Sequence, residues 1–170
     1  MNPCPCGYRG YGSNRCRCGD AAVNRYRNRV SGPLLDRFDL HLWLGALTAQ
    51  ELNGTPPTNP TLAMQERVQS ARAAQLTRNG KIPGNVPGSG CVQLNSALDS
   101  QALRTIARPT PEALRVLEEA YGKLRLSARG YMKILRVART IADLSANPTV
   151  ESEHVLEALT YREPIAFFSS

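Results

Sequence analysis

The sequence predicts a mainly helical protein, with a small helical bundle in its second half and a single strand in its first. Apolar residues recur at helical spacing through residues 62–162, and only residues 40–44 alternate as a strand does. Four of the five cysteines fall within fifteen residues near the N-terminus. Because one strand cannot form a sheet, its partners lie outside this chain or it packs irregularly against helices.

The cysteines form a C-x-C pair, nine intervening residues and a second C-x-C pair: Cys4, Cys6, Cys16 and Cys18. Two thiol pairs that close a short loop can surround Zn²⁺ as four thiolates. The intervening loop is rich in glycine and too poor in apolar residues to fold without a cross-link such as a metal ion or a disulfide. The alternatives are two disulfides or four free thiols, and the absence of a secretion signal favours zinc.

The net charge of +7, from 21 basic and 14 acidic side chains, attracts anions such as nucleic acid, nucleotide phosphates and acidic membranes. Residues 1–45 hold seven arginines against three aspartates. Among them, Arg9, Arg15 and Arg17 lie beside the cysteines and are the candidate nucleic-acid-binding residues. No apolar run is long enough to span a bilayer, and we expect a cytoplasmic protein with no membrane partner.

Within the first half, Asp20 is expected to cap a helix that runs to Val30. Residues 31–39 follow as a short turn or helix, and residues 40–44 form the strand. The Pro/Thr-rich residues 53–61 are turn formers throughout and predict a linker. This divides the chain into residues 1–52, the linker 53–61, a helical domain at 62–163 and an apolar tail at 164–170.

The helical domain is expected to hold five helices separated by turns. Their predicted ranges are 62–79, 99–108, 111–123, 127–146 and 151–162, with a Gly/Pro-rich loop at 81–90. The helix at 111–123 places Leu114, Leu117, Tyr121 and Leu124 on one face. The helix at 127–146 has a continuous apolar face. The opposite side carries a basic stripe formed by Arg129, Lys133 and Arg136, with Thr140 in line with them. We expect Lys133, Arg136 and Arg139 to face solvent.

Signs of nucleotide hydrolysis by this chain alone are absent from the sequence. No G-x-x-x-x-G-K-[ST] phosphate loop occurs. His41 and His154 have no neighbouring nucleophile that suggests a triad, so each is expected to be an ordinary structural residue.

Three segments in order carry a family resemblance: MNPCPCG at residues 1–7, RYRNRVSGPLLDRFDLH at 25–41 and LSARGYMKILRVARTIADL at 126–144. Over residues 1 to about 162 the chain resembles the C-terminal part of the magnesium-chelatase-like AAA+ proteins of the YifB/ComM type. The resemblance implies that residues 1–52 end an α/β AAA+ core, with the cysteines as an insertion, and that 62–163 is the helical lid. It also implies that the full-length protein binds ATP and Mg²⁺ in its own N-terminal core.

The resemblance gives three residues roles at the nucleotide. Asn2 matches sensor 1, which positions the attacking water. Arg37 matches the arginine finger that reaches the neighbouring subunit's nucleotide, although its place between Asp36 and Asp39 also suits a surface ion pair. Arg129 matches sensor 2, the lid arginine of the same subunit. A helix N-terminus disfavours a cation unless an anion is present, which supports a phosphate partner for Arg129.

Three functions remain open from the sequence. The resemblance implies a homo-oligomeric ring, a hexamer, that remodels DNA by ATP-driven branch migration, a helicase activity of recombination and competence. A second reading is the motor subunit of magnesium chelatase, although such subunits carry acidic residues where this chain has Cys-Pro-Cys. The third is a zinc-stapled basic module that binds DNA or protein without ATPase activity.

Overall fold

A computed structural model describes residues 1–10, 15–42, 44–45, 47–54, 60–80 and 94–162. The chain divides into two compact units, with the boundary between Thr55 and Pro56. Most of the expected linker and loop, and the tail at 164–170, lie outside the described residues. No helix in the described ranges is both long and apolar enough to cross a bilayer.

The first unit contains three short helices: α1 (Asp20–Arg27), α2 (Gly32–Leu35) and α3 (Ala49–Asn53). Gly19, not Asp20, is the N-cap of α1, and the helix ends three residues before the predicted Val30. The sequence interpretation missed α3. It begins with a capping box, in which Thr48 Oγ1 accepts a hydrogen bond from Glu51 N and the Glu51 carboxylate accepts one from Thr48 N.

The predicted strand at residues 40–44 does not form. Residues 40–42 and 44 belong to neither a helix nor a strand, and Trp43 lies outside the described residues. The described ranges contain no strand, and their isolated β-bridge joins Pro109 to Val150. A strand needs a neighbour to pair its backbone groups. Here Leu40, Leu42 and Leu44 are each more than half exposed.

The second unit is a bundle built around one central helix. Its elements are α4 (Pro60–Asn79), a 3₁₀ turn (Asn95–Ala97), α5 (Ser100–Ala107), α6 (Pro111–Lys123), α7 (Ala128–Leu144) and α8 (Ser152–Thr160). Helices α4, α5 and α8 pack against α7, and α6 packs against α8. The predicted apolar face of α7 is buried at Ile134, Leu135, Ala138, Ile141 and Ala142.

Side-chain caps fix where three of these helices begin. Asp99, Thr110 and Ser127 each accept a hydrogen bond from the backbone N–H three residues later. On α6, however, the core-facing residues are Ala113, Leu117 and Ala120. Leu114, Tyr121 and Leu124 are at least one-third exposed, so the predicted face of α6 is only partly the buried one.

The expectation that Lys133, Arg136 and Arg139 of α7 face solvent is wrong. Arg139 is 0% exposed and Lys133 is 7% exposed, while the half-buried Arg136 donates a hydrogen bond to the carbonyl of Leu98. Arg139 turns into the bundle because the Asp143 carboxylate, one turn along α7, lies 3.0 Å from its Nη2 atom. A buried charge is tolerated when it is paired and hydrogen-bonded in this way.

A second arginine reaches the same carboxylate from α4. Arg78 forms a bidentate ion pair with Asp143. Its Nη1 atom donates to Oδ1 at 2.5 Å, and its Nη2 atom donates to Oδ2 at 3.0 Å. Asn95 also donates to Asp143 Oδ2, at 2.8 Å. This polar network ties α4 and the 3₁₀ turn to α7.

Candidate functional site

The four predicted cysteines come together in the first unit. The Sγ atoms of Cys4, Cys6, Cys16 and Cys18 all lie within 4.8 Å of one another. Cys4 Sγ is 3.3 Å from Cys6 Sγ and 3.8 Å from Cys16 Sγ. A tetrahedral ion with metal–sulfur bonds of about 2.3 Å requires sulfur–sulfur distances of about 3.8 Å. The cluster therefore has the size of a four-thiolate metal site.

Glycines shape the turn that carries the first pair. Gly7 and Gly10 have φ angles of +84° and +88°, a conformation that glycine adopts without strain. Gly7 N donates to the carbonyl of Cys4 at 3.0 Å, which folds the backbone around the Cys4 sulfur. The turn brings the backbone N–H of Arg9 within hydrogen-bonding reach of that sulfur as well.

The thiols influence one another's protonation. Burial raises the pKa of the Cys4 thiol, but hydrogen bonds from the Cys6 side chain and from backbone N–H groups outweigh it and lower the pKa to about 6. The Cys6 backbone N–H lowers the pKa of Cys18, yet hydrogen bonding with the Cys6 and Cys4 sulfurs and burial raise it to about 11. Once one thiolate forms, the next is opposed by its charge, and a bound cation would relieve that repulsion.

The four thiols are not joined by disulfide bonds. The distance from Cys4 Sγ to Cys6 Sγ, 3.3 Å, exceeds the roughly 2.0 Å of a disulfide bond. The described part of this unit also has almost no apolar core, since only Pro3, Cys4 and Val23 are buried in it. Such a segment needs a further source of stability. The donor set, spacing and missing core all fit a structural metal ion.

The three arginines beside the cluster have different surroundings. Arg9 forms an ion pair with Asp20 at 2.8 Å, a partner that the sequence interpretation missed. Hydrogen bonding to Asp20 raises the pKa of Arg9. The Arg15 guanidinium carbon lies 5.9 Å from the ring centroid of Tyr8, within the range of a cation–π contact. Arg15 and Arg17 are exposed.

Asn2 and Arg37, the predicted sensor 1 and arginine finger, also lie in the first unit and are exposed. The Asn2 side chain covers the turn at Gly7, where Nδ2 is 3.6 Å from the position that a Cβ would take. Arg37 follows α2, and its backbone N–H donates to Leu34 O at 3.0 Å.

Arg129, the predicted sensor 2, lies in the first turn of α7 in the second unit and is exposed. Its neighbour Gly130 is buried, and Arg162 Nη2 lies 3.1 Å from the place that a Gly130 Cβ would take. The missing side chain at Gly130 therefore allows a second arginine to approach this helix terminus. Nothing in the sequence pattern indicated Arg162, because it lies 32 positions beyond Gly130.

Two family models match the two halves of the chain. Residues 58–162 match the family described as "Magnesium chelatase, subunit ChlI C-terminal", and residues 1–52 match "Magnesium chelatase, subunit ChlI". The chain belongs to the magnesium-chelatase-like AAA+ family. This confirms the resemblance predicted from the three sequence motifs.

Individual relatives point to the ComM/YifB branch of that family. The chain is 37% identical over 163 residues to the competence protein ComM of Haemophilus influenzae. It is 36% identical over 163 residues to a protein named YifB of Escherichia coli. A Mycobacterium tuberculosis protein is 34% identical over 164 residues. These matches cover 95% of this chain but only 29–30% of each relative's length.

Proposed function

We propose that this chain is the C-terminal part of a ring-forming AAA+ ATPase that remodels DNA, as implied for the ComM type. Its membership of the magnesium-chelatase-like family carries the proposal. Under it, the lid and the end of the AAA+ core are present here, whereas nucleotide is bound by the N-terminal core. Adjacent subunits of the ring then share each ATP site.

Exposed apolar side chains in the first unit support docking onto that core. Phe38, Leu42, Leu44 and Leu47 are each at least half exposed. Large exposed apolar patches on proteins mark interaction sites. In the full-length protein, the segment around Leu42 would lie beside a strand of the core.

The two candidate nucleotide residues act from different subunits in this proposal. Arg37 is an exposed, always-charged guanidinium, which suits the stabilisation of negative charge on a phosphoryl group supplied by a neighbour. Arg129 contacts the nucleotide of its own subunit from the α7 N-terminus, where an anion also meets the positive end of the helix dipole. Asn2 positions the attacking water.

Zinc is the proposed ion of the cysteine cluster. Four thiolates at tetrahedral spacing favour Zn²⁺ over Mg²⁺ or Ca²⁺, which prefer oxygen ligands. Bound there, zinc would supply folding energy rather than chemistry, because all four positions are taken by protein sulfur. The segment that zinc cross-links then holds Arg15 and Arg17 at the surface for contact with DNA phosphates.

Mixing subunits tests the arginine finger. Full-length rings that carry only Arg37→Ala, or only Arg129→Ala, should lose ATP turnover, since removal of an arginine finger typically costs on the order of 10³-fold or more. Rings mixed from the two variants should regain part of it, because an Arg37→Ala subunit keeps its own Arg129 and receives Arg37 from an Arg129→Ala neighbour. Turnover is measured across mixing ratios. Mixtures that stay as inactive as either variant alone would return Arg37 to the surface-ion-pair interpretation.

DNA binding tests the substrate class. Titration of this chain against four-way-junction, forked and linear duplex DNA should show a preference for branched DNA that persists near physiological salt. Arg15→Glu with Arg17→Glu should weaken binding by at least tenfold, because two phosphate contacts are lost. Arg104→Glu with Arg115→Glu, two exposed arginines of α5 and α6, makes the same total charge change and is the control. If the chain bound all three DNA forms equally and lost this binding as salt was added, the result would indicate only a basic surface. The chelatase motor subunit would then be the better interpretation of the family match.

A further inference from the structure

A groove in the second unit lies between α4 and α5. Both helices pack on α7, and residues of both line an opening of about 940 Å³. One wall is formed by Ala73, Ala74 and Thr77 of α4, and the other includes Ala102 and Thr105 of α5. These small side chains keep the groove wide and shallow enough for an inserted helix face.

Two arginines and one aspartate lie along this groove. Arg78, Arg108 and Asp99 line it, and Arg108 is exposed. Both arginines lie close enough to the buried Arg139 to lower its pKa through charge repulsion, after the larger effect of its burial. Asp143 is the carboxylate that pairs with Arg78 and Arg139, so this cluster keeps an excess of positive charge.

Two other helices of the bundle carry the opposite charge. Helices α4 and α5 hold four arginines and one glutamate, whereas α6 and α8 hold five glutamates, one arginine and one lysine. A bundle with one basic and one acidic pair of helices attracts a second copy in a head-to-tail arrangement. Head-to-tail contacts are heterologous, the kind from which rings are closed.

On α8, one exposed face matches the groove in length and chemistry. Residues at positions i, i+3, i+4 and i+7 share this face: Glu153, Leu156, Glu157 and Thr160. Leu156 is 54% exposed, although α8 packs its other side on α6 and α7. The face spans about 10 Å along the helix, close to the roughly 8 Å of the α4 wall.

We propose that the groove between α4 and α5 receives the Glu153–Leu156–Glu157 face of α8 from a second copy of this chain. Leu156 would pack against the alanines of the two walls, and Glu157 would pair with Arg108. None of the described residues that line the groove is aromatic, which disfavours single-stranded nucleic acid as the occupant because its bases stack on aromatic rings. This inference rests on the proposed ring and adds a lid-to-lid contact to it.

A charge exchange tests the contact without nucleotide or DNA. Sedimentation of the 170-residue chain at low salt should show concentration-dependent self-association. Arg108→Glu and Glu157→Arg should each weaken association by about tenfold, a size typical of one close charge pair, and the double variant should restore it. Leu156→Ala should also weaken association. Arg108 is chosen for this test because Arg78 is bonded to Asp143, and replacing Arg78 would also disturb that network.

The control is Arg104→Glu, which makes the same charge change on α5 at a residue outside the groove lining, and it should weaken association far less than Arg108→Glu does. A wild-type chain that stays monomeric at all concentrations would overturn the proposal, as would a double variant no tighter than the single ones. Because ATP turnover in mixed full-length rings tests the proposed function separately, a failure here leaves that test intact.

Discussion

Removal of bound metal should unfold the first unit and leave the second folded. Purified chain is expected to hold one zinc ion, and a strong chelator should abolish hydrogen-exchange protection in α1 while α6 and α7 keep theirs. The reason is the small core: Pro3, Cys4 and Val23 are the buried residues of the described first unit, and Cys4 is itself a candidate ligand. Structural zinc sites contribute on the order of 10 kcal/mol to folding.

Single cysteine variants sharpen this test. Cys4→Ser and Cys18→Ser should each lose most of the zinc, because three remaining thiolates bind it far more weakly. Cys91→Ser is the matched control, since it removes the fifth cysteine, which belongs to neither C-x-C pair, and it should keep one zinc ion per chain. Metal content is measured together with peptide-level hydrogen exchange. A chelated chain whose α1 stays fully protected would show that the cluster is not a structural metal site.

The sequence was most informative where local signals decide the structure. Helix α6 occupies Pro111–Lys123, as predicted, because Thr110 caps it and a proline at its first position cannot extend it backwards. The cysteines assemble because two C-x-C pairs across a short loop have little freedom to do otherwise. Helix α3 was missed even though its Thr48-x-x-Glu51 capping box is a local signal visible in the sequence.

Errors arose where contacts distant in sequence decide the outcome. The strand at residues 40–44 had the right alternation but no partner in the described chain. Arg139 was expected to face solvent together with Lys133 and Arg136, because charged side chains are rarely buried. Its burial depends on Arg78, which lies 65 residues from Asp143, and on the carbonyls of Asn147 and Pro148. No periodicity in the sequence encodes those contacts.

Replacing Asp143 should destabilise the second unit more than any exposed charge change. Its side chain is 1% exposed and pairs with both Arg78 and Arg139. Asp143→Asn would keep the shape but leave two neighbouring guanidinium groups without their counter-charge, one of them fully buried. Loss of one partner from a buried ion pair costs about 3–5 kcal/mol. That is a large fraction of the roughly 5–15 kcal/mol that keeps a domain folded.

The measurement is urea unfolding followed by helical circular dichroism, which the second unit dominates through its five long or medium helices. Glu119→Gln is the control, since it breaks the exposed pair between Glu119 and Lys123 and should cost less than about 1 kcal/mol. If Asp143→Asn and Glu119→Gln unfolded at the same urea concentration, the network would contribute no more than a surface pair.

Acid dependence gives an independent check on Asp143. Burial raises the pKa of its carboxyl, but hydrogen bonds from Arg78 and Asn95 and the charge of Arg139 outweigh it, so the pKa is lowered from 3.8. An acid with a lowered folded pKa stabilises the fold above its unfolded pKa, and this contribution disappears as the pH falls below 3.8 towards the folded value. The wild type should therefore lose stability over that range more steeply than Asp143→Asn, which has no carboxyl to protonate there. Parallel acid curves for the two proteins would mean that the Asp143 carboxylate is not the charge that holds α4 to α7.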